Sequence, residues 1–235
     1  MAGHDVDAAP VRALDSGCAH VIEQVLPPQV ASCAMRGDGV AVPLFAAELL
    51  EIRGAVDKRR REFTTGRACA RFALAKLQLP PAPIPRGAWR EPIWPDGVVG
   101  SITHCNAYCA AAAAFQRDVL TIGIDAEPNE ALPFGTLEQV AVPEERAWLT
   151  TAPAGVHWDR LLFSAKESVF KAWFPLARTW LGFEQAIVVF HPTEGTFDVQ
   201  LLVPCPAVLA KCSKQISGRY LVQDGLIVTA IALMQ

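Results

Sequence analysis

The segment VLTIGIDAEP, residues 119–128, constrains the fold more than any other part of the chain. It is apolar until Asp125 and Glu127 follow at alternate positions. Residues two apart on a β-strand point the same way, so a strand here would turn Ile122 and Ile124 toward the core and both acids toward the opposite face. The segment is therefore predicted as a strand that ends in a pair of carboxylates.

The two carboxylates need a compensating charge or open water. Asp125 and Glu127 would lie roughly 7 Å apart, which is the rise of two strand residues. At an effective dielectric constant near 20, two negative charges at that distance repel by roughly 2–3 kcal/mol. A cation, a basic side chain or solvent must offset this repulsion, so the end of the strand is a candidate site.

Composition excludes several classes of protein. Of 235 residues, 51% are hydrophobic and 19% charged, which is typical of a globular protein with a sizeable core, in one large domain or two fused small ones. A net charge of −3 gives no global indication of nucleic-acid binding. Any anion-binding site must therefore come from local clustering of basic residues.

The chain is expected to be cytoplasmic and reduced. The apolar runs AYCAAAAAF and LIVTAIALM are far shorter than the roughly 20 residues of a membrane-spanning helix. The N-terminal MAGHDVDAAPVRALD carries acidic residues where a signal peptide has a basic start. Seven cysteines at irregular spacing do not indicate a disulfide framework.

The succession of helices and strands indicates an α+β fold. They alternate loosely, without the regular repeat of a doubly wound sheet, and the Pro- and Gly-rich residues 80–97 are predicted as a long loop. Helices are predicted at 43–52, 55–78, 143–149 and 158–174, the last ending before Pro175, and strands at 31–34, 98–103, 107–115, 119–127, on both sides of a TEG turn within 186–203, and at 226–233.

A third acidic residue lies on the predicted helix 158–174, in FSAKESVFK. Helical spacing puts Glu167 and Lys171 on one side, away from the apolar stripe, with Lys166 nearby. An exposed Glu–Lys pair at this spacing stabilises a helix by only about 0.2–0.5 kcal/mol and implies no function. Together with the strand acids, however, it indicates a Mg²⁺ site that also holds a phosphate, because Mg²⁺ prefers oxygen ligands and shares carboxylates with substrate phosphates.

The basic stretch DKRRREFTTGRACAR is a candidate site for further phosphates. If it is helical throughout, Arg60, Arg67 and Arg71 lie within a narrow arc, while Arg59 falls toward the apolar side. Charge runs are often only solvated helix faces, and that interpretation stays open for this stretch.

The stretch GSITHCNAYC contains a histidine and two cysteines. His104 cannot easily activate Cys105 as a nucleophile, because neighbouring strand residues point to opposite faces. A zinc site from His104, Cys105 and Cys109 lacks the second ligand pair of a structural site. The cysteines are therefore predicted as small buried hydrophobic residues, and His104 as the candidate site residue.

These stretches, in this order and spacing, resemble the 4′-phosphopantetheinyl transferases of the larger monomeric class, which serve siderophore, polyketide, nonribosomal peptide and fatty-acid synthases. GIDAEP is similar to the family's G-x-D-x-E segment, FSAKESVFKAWF to F-S-x-K-E-S-x-x-K, GSITHC to S-x-[ST]-H-C, and KRRREFTTGR to an early arginine segment. The resemblance covers roughly residues 38 to 235 and is strongest to actinobacterial-type members. It implies two similar α/β halves, 1–118 and 119–235, related by a pseudo-twofold, with coenzyme A in the cleft between them.

The resemblance also implies roles for individual residues. Position 126 is Ala where some relatives carry another acid, so water could fill that metal position. The resemblance implies Arg59 as a phosphate-binding residue, whereas the helical pattern favours Arg60. A helix that starts after Arg61 would reconcile the two, because Arg59 would then lie outside the helix. Asp125, Glu127 and Glu167 would hold Mg²⁺; Lys171, with Lys166 close by, would bind the pyrophosphate; His104, supported by Ser101 and Thr103, would meet the 3′-phosphate together with Arg59, Arg67 and Arg86.

The implied reaction moves phosphopantetheine from coenzyme A to a serine of an apo acyl or peptidyl carrier protein. Glu167 would take the serine proton, and Lys171, Asp125 and Mg²⁺ would act on the phosphates. A metal-dependent phosphohydrolase acting on coenzyme A or a nucleotide, a non-catalytic coenzyme A-binding scaffold and a cysteine enzyme built on Cys105 remain alternatives. The carrier used and the tolerance for acyl-coenzyme A are left open.

Overall fold

The computed structural model describes residues 21–37, 42–106, 108–204 and 216–235. The N-terminal stretch that argued against a signal peptide lies outside them. The described helices and strands are β1 (Ala31–Arg36), α1 (Ala46–Glu51), α2 (Asp57–Lys76), β2 (Val98–Cys105), β3 (Tyr108–Phe115), β4 (Val119–Pro128), α3 (Leu137–Val140), α4 (Pro143–Leu149), α5 (Trp158–Ala177), β5 (Ala186–His191), β6 (Thr196–Leu201), β7 (Ile216–Gln223) and β8 (Leu226–Met234).

The strands of the described ranges form two antiparallel sheets. One has the order β1-β3-β2, and the other has the order β4-β8-β7-β6-β5. Helix α2 packs on the first sheet and α5 on the second. This arrangement confirms the expected α+β class. The chain changes sheets between β3 and β4, near the proposed break at residue 118, but the division into halves with a pseudo-twofold stays a prediction.

The alanine-rich strand β3 lies at the centre of the packing and is buried on both faces. Ala111 and Ala113 contribute to the core under α2, while Ala110, Ala112 and Ala114 join the core between the two sheets. Small side chains on both faces let the helix and the second sheet approach closely.

Helix α5 lies directly on β4, and this contact positions the acidic residues. A Cβ on Gly123 would overlap the carbonyl oxygen of Ser168, so only glycine allows the helix this close. Thr121 Oγ1 donates to the carbonyl of Ala172 at 2.8 Å. The predicted alternation holds, because Ile122 and Ile124 enter the core between the sheets while Asp125 faces α5.

Three secondary-structure predictions need correction. Helix α5 continues through Pro175 to Ala177, since a proline in the last turn removes only one helical hydrogen bond, and Arg178 ends the helix in a left-handed conformation (φ 53°). Strand β7 was not predicted. Helix α2 starts at Asp57, so a start after Arg61 does not explain the choice between Arg59 and Arg60.

No helix in the described part of the chain has both the length and the apolar character needed to cross a membrane.

Candidate active site

Asp125 is the centre of the candidate site and is almost fully buried, at 5% exposure. Its Oδ1 accepts hydrogen bonds from Lys171 Nζ at 2.7 Å and from Thr103 Oγ1 at 3.0 Å. Its Oδ2 is buried and has no hydrogen-bond partner among the described residues. One oxygen therefore fixes the orientation of the carboxylate, and the other is left for a ligand.

Glu127 is neutralised by an arginine that the sequence did not single out. Arg160 Nη1 donates to Glu127 Oε2 at 3.0 Å, with both side chains largely buried. Burial raises the pKa of Glu127 and Asp125 raises it further, while Arg160 opposes both effects. The repulsion expected between the two strand acids is thus offset by two separate side-chain cations, Lys171 and Arg160.

Glu167 lies on the cleft side of α5, one turn before Lys171. Its carboxylate makes no hydrogen bond or ion pair with the described residues, since Lys171 turns to Asp125 instead. Burial raises its pKa, Asp125 raises it further, and Lys171 lowers it. Glu167 is therefore a carboxylate with raised basicity and both oxygens available.

The three acids do not form a ready-made triad. Among the described residues, no three His, Cys, Asp or Glu side chains are grouped closely enough to hold a metal ion. The expected three-carboxylate site stays a prediction, in which Arg160 engages one oxygen of Glu127 and leaves the other for a ligand. The donors still fit Mg²⁺, which is commonly held by one or two carboxylates plus substrate phosphates. The unpartnered Asp125 Oδ2 and the Glu167 carboxylate meet that requirement.

Ser101 and Thr103 join the two sheets. The Ser101 hydroxyl accepts from the backbone N–H of Ile124 at 3.1 Å, and Thr103 Oγ1 accepts from that of Ala126 at 3.2 Å. Both side chains are buried, at 4% and 3% exposure. Their hydroxyls thus accept from the open edge of β4 and hold β2 beside it, and Thr103 in addition contacts Asp125.

His104 lies next to a basic cluster at the start of α2. Arg59 Nη1 donates to His104 Nε2 at 3.2 Å, which requires a neutral imidazole with its proton on Nδ1. Burial lowers the pKa of His104, and Arg59 and Lys171 lower it further, against the opposing charge of Glu62. Arg60 instead bonds the carbonyl of Ala55. The residue implied by the resemblance, Arg59, is thus the one beside His104.

Arg86 and Arg67 stack on Phe63 in the same basic region, with their guanidinium carbons 4.8 and 4.2 Å from the ring centre. Arg86 Nε lies 3.0 Å from Glu51 Oε2. Arg67 is more deeply buried, donates to the carbonyl of Ile84 at 2.6 Å, and has its pKa lowered by burial to about 10. Both remain cations at neutral pH, with Arg86 the more accessible.

Lys166 is not brought into this site. Its ammonium is 2.7 Å from Glu145 Oε2 and also donates to the carbonyls of Val140 and Phe183. At 2% exposure the residue is enclosed on the far side of α5. Adjacent helical residues point about 100° apart, so Lys166 cannot share the cleft with Glu167. Its expected place near the pyrophosphate is corrected to a structural one.

A cavity of about 470 Å³ opens beside Glu167 and Lys171. Its walls come from β2, the second half of α5 and the loop 89–94, and many are aromatic. The loop is fastened to α5 by Arg178, which donates to Glu91 at 3.1 Å, and by the Trp89 ring, 6.1 Å from that of Phe174. The cavity thus combines aromatic walls with charged groups, Glu167 and Lys171 on one side and Glu91 and Arg178 at the loop.

Comparison with known proteins gives a consistent result. The family model described as the 4′-phosphopantetheinyl transferase N-terminal domain matches residues 46–114, and that of the 4′-phosphopantetheinyl transferase superfamily matches residues 121–223. The 4′-phosphopantetheinyl transferase Svp of Streptomyces mobaraensis is 51% identical over 81% of this chain and 78% of its own. The chain belongs to the 4′-phosphopantetheinyl transferase superfamily.

Two further relatives support the same family assignment. The 4′-phosphopantetheinyl transferase Npt of Nocardia iowensis is 45% identical over 90% of this chain and 99% of its own. The 4′-phosphopantetheinyl transferase PptT of Mycobacterium tuberculosis is 46% identical over 77% and 82%. The expected resemblance to actinobacterial members is confirmed.

The cysteine alternative has no support in the geometry of the transferase. Burial, together with the negative charges of Glu127 and Asp125, raises the pKa of Cys105 to about 12, so the thiol stays protonated. Cys109 is buried, as expected of a small hydrophobic residue.

Two features of the transferase site were missed in the sequence. Arg160 lies seven residues before Glu167 and hence on nearly the same side of the helix, so helical spacing could have identified it. The cavity depends on the packing of a Pro-rich loop against the end of α5, for which no local pattern gives a signal.

Proposed function

We propose that the protein transfers the 4′-phosphopantetheine group of coenzyme A to a serine hydroxyl of an apo acyl or peptidyl carrier protein, with Mg²⁺ as cofactor. Membership of the transferase superfamily supports the reaction class. The observation that carries the assignment to this site is Asp125 Oδ2, a buried carboxylate oxygen that has no hydrogen-bond partner in the described ranges and lies beside Lys171 and next to Glu167.

Asp125 and Glu167 are the residues that would hold the metal, with Glu127 at the edge of the site. When bound there, Mg²⁺ supplies positive charge for the pyrophosphate oxygens and for the charge that develops on the leaving phosphate. Lys171 is the cation of the chain itself that reaches the same place. It binds a phosphate oxygen and stabilises the departing negative charge.

The two ends of coenzyme A require different surroundings. The 3′-phosphate is a dianion, which suits the region of Arg59, His104 and Arg86. The pantetheine arm is long and mostly apolar with two amides, which suits the aromatic cavity beside Lys171. A pyrophosphate bound at Lys171 would lie between these two regions. Lys171 lines the cavity, and its positive charge also lowers the pKa of His104.

Glu167 is the base of the proposed reaction. It takes the proton of the serine hydroxyl while the serine oxygen forms a bond to the β-phosphorus of coenzyme A. The bond from that phosphorus to the bridging oxygen breaks, and the electron pair leaves with 3′,5′-adenosine bisphosphate. Glu167 suits this role because its carboxylate lines the cleft beside Lys171 and makes no hydrogen bond or ion pair with the other described residues.

The test is to incubate the protein with Mg²⁺, coenzyme A and several apo carrier proteins and to measure the carriers by intact-mass spectrometry. Phosphopantetheine on the carrier serine, lost when that serine is replaced by alanine, supports the proposal. Consumption of coenzyme A with every carrier unmodified would overturn it and favour the phosphohydrolase. Because β2, β4, α2, α5 and the loop that carries Arg86 supply all the residues named from one chain, the protein is proposed to act as a monomer.

A further inference from the structure

Arg160 makes contacts that set it apart from the other cations near the site. It lies in the first turn of α5 and uses all three guanidinium nitrogens. Nη1 donates to Glu127 Oε2 at 3.0 Å, Nε to the carbonyl of Glu130 at 3.1 Å, and Nη2 to that of Ala131 at 2.9 Å. The side chain is 15% exposed and that of Glu127 is 18% exposed.

The backbone after β4 is held by the same end of α5. The N–H of Leu132 donates to Asp159 Oδ2 at 2.8 Å, and Asn129 Oδ1 accepts from the N–H of His157 at 3.0 Å. Unlike Asp159 and Asn129, Arg160 also contacts a carboxylate on β4, that of Glu127. It therefore couples the position of the segment after Pro128 to the orientation of Glu127.

The two strand acids are held in parallel ways. Asp125 has one oxygen engaged by Lys171 and Thr103, and Glu127 has one oxygen engaged by Arg160. Two backbone carbonyls fix the plane of the Arg160 guanidinium, so its third nitrogen presents a donor to Glu127 Oε2 at a defined place, which a flexible ammonium would not do. Each acid thus has one oxygen held by a cation and keeps the other for a ligand.

We propose that Arg160 is a positioning residue that orients Glu127 toward the metal site and thereby sets the affinity for the divalent ion. This inference rests on the proposed function, because it assumes that a divalent ion binds with coenzyme A at Asp125 and Glu167 and is faced by the second oxygen of Glu127. Groups that orient metal-ligating side chains commonly change metal affinity or activity by about 10- to 100-fold when removed.

Binding of Mn²⁺, used as a spectroscopic probe, tests this directly. Free Mn²⁺ is followed by electron paramagnetic resonance during titration of the protein with saturating coenzyme A. Arg160→Gln is expected to weaken Mn²⁺ binding by about 10- to 100-fold, while coenzyme A binding without metal stays within about twofold. In transfer assays the Mg²⁺ concentration for half-maximal rate should rise by a similar factor, with kcat recovering at high Mg²⁺.

Two variants separate positioning from general stability. Arg146→Gln is the matched control, because among the described residues Arg146 donates to the carbonyl of Ala141 and contacts no carboxylate. It should bind Mn²⁺ as the wild type does. Arg160→Lys keeps the charge but not the three-point contact and should fall between wild type and Arg160→Gln, so wild-type affinity there would overturn the role of the guanidinium.

A double-mutant cycle with Glu127→Gln completes the test. If Arg160 acts through Glu127, adding Arg160→Gln to Glu127→Gln causes no further loss of Mn²⁺ affinity. Losses that add in the double variant, or unchanged affinity in Arg160→Gln alone, overturn the proposal for Arg160 only. A wild-type protein that binds no Mn²⁺ in the presence of coenzyme A overturns both this proposal and the metal-dependent function.

Discussion

Lys171 on α5 and Asp125 on β4 form a hydrogen-bonded ion pair of 2.7 Å, which joins the helix carrying Glu167 to the strand carrying Glu127. Thr103 adds a bond from the other sheet to the same carboxylate oxygen. One acid therefore connects three structural elements, and its second oxygen has no hydrogen-bond partner in the part of the chain that the structure describes. Removal of the negative charge of Asp125 should therefore reduce activity while the fold is kept.

Asp125→Asn tests that separation. The amide keeps the volume and can still accept hydrogen bonds from Lys171 and Thr103, but it provides no negative charge for a metal. We expect transfer to fall by about 100-fold or more, in the range seen when electrostatic groups of an active site are removed. The rate is measured by mass spectrometry of the carrier, and the fold by thermal unfolding. A rate within a few-fold of the wild type would remove Asp125 from the chemistry.

Glu167→Gln should abolish transfer and yet not destabilise the protein. Glu167 has a pKa raised above its ordinary value of 4.5 in the folded protein, mainly by burial. At neutral pH, which is above both the unfolded and the folded pKa, folding must bury this carboxylate in its ionised form. Glu167 therefore lowers the free energy of unfolding at neutral pH. Below pH 4.5 the carboxyl is protonated in both states, and the effect is absent. At pH 8 the variant should therefore have a Tm equal to or above that of the wild type.

The measurement pairs a calorimetric Tm at pH 8 with the transfer rate and with coenzyme A binding. Most coenzyme A affinity should remain, because Glu167 is assigned to the proton and the metal. Transfer that survives within a few-fold would show that Glu167 is not the base.

Local pattern predicted much of the fold because it depends on residues close in the sequence. The alternation along β4 located both strand acids, and α4 begins at Pro143 and ends at Leu149 as expected. Strand β7 escaped prediction because Gly218 and Arg219 interrupt its apolar pattern. Gly218 is needed there for the Phe197 ring, which occupies the space of a side chain.

The partners of the charged residues were less predictable, because they depend on contacts between distant segments. Lys166 and Glu167 are neighbours in the sequence, but the partner of Lys166 is Glu145 while Glu167 faces the cleft. Helical spacing favoured Arg60 over Arg59, yet the direction of each side chain was decided by His104 and Ala55. Periodicity gives the face of a helix but not the neighbour that covers it.

Lys166→Met tests the corrected role of that lysine. The substitution leaves Glu145 as a buried charge without its cation, although two backbone N–H groups still bond it. Breaking a buried ion pair in this way costs about 3–5 kcal/mol of stability. We expect that loss in urea unfolding, with an unchanged KM for coenzyme A at a temperature where the variant is folded. Normal stability with a tenfold higher KM would return Lys166 to the substrate site.

Binding of coenzyme A should take up a proton at His104. The pKa of this histidine is lowered from 6.5, chiefly by burial and also by Arg59 and Lys171, so the imidazole is neutral in the unliganded protein above pH 7. A phosphate dianion beside it favours the imidazolium and raises that pKa. Affinity for coenzyme A should therefore increase as the pH falls through the range near 6.5.

Isothermal titration in two buffers of different ionisation enthalpy measures the proton directly, and dephospho-coenzyme A provides the control. The wild type should take up a fraction of a proton near pH 6.5 with coenzyme A and none with the dephospho form, which lacks the 3′-phosphate. His104→Gln should weaken coenzyme A binding by about tenfold, the effect of one charge-assisted hydrogen bond, and leave the dephospho form unaffected. Equal proton uptake with both ligands would show that the 3′-phosphate does not bind at His104. The basic cluster of Arg59 and Arg86 would then be expected to bind a different anion.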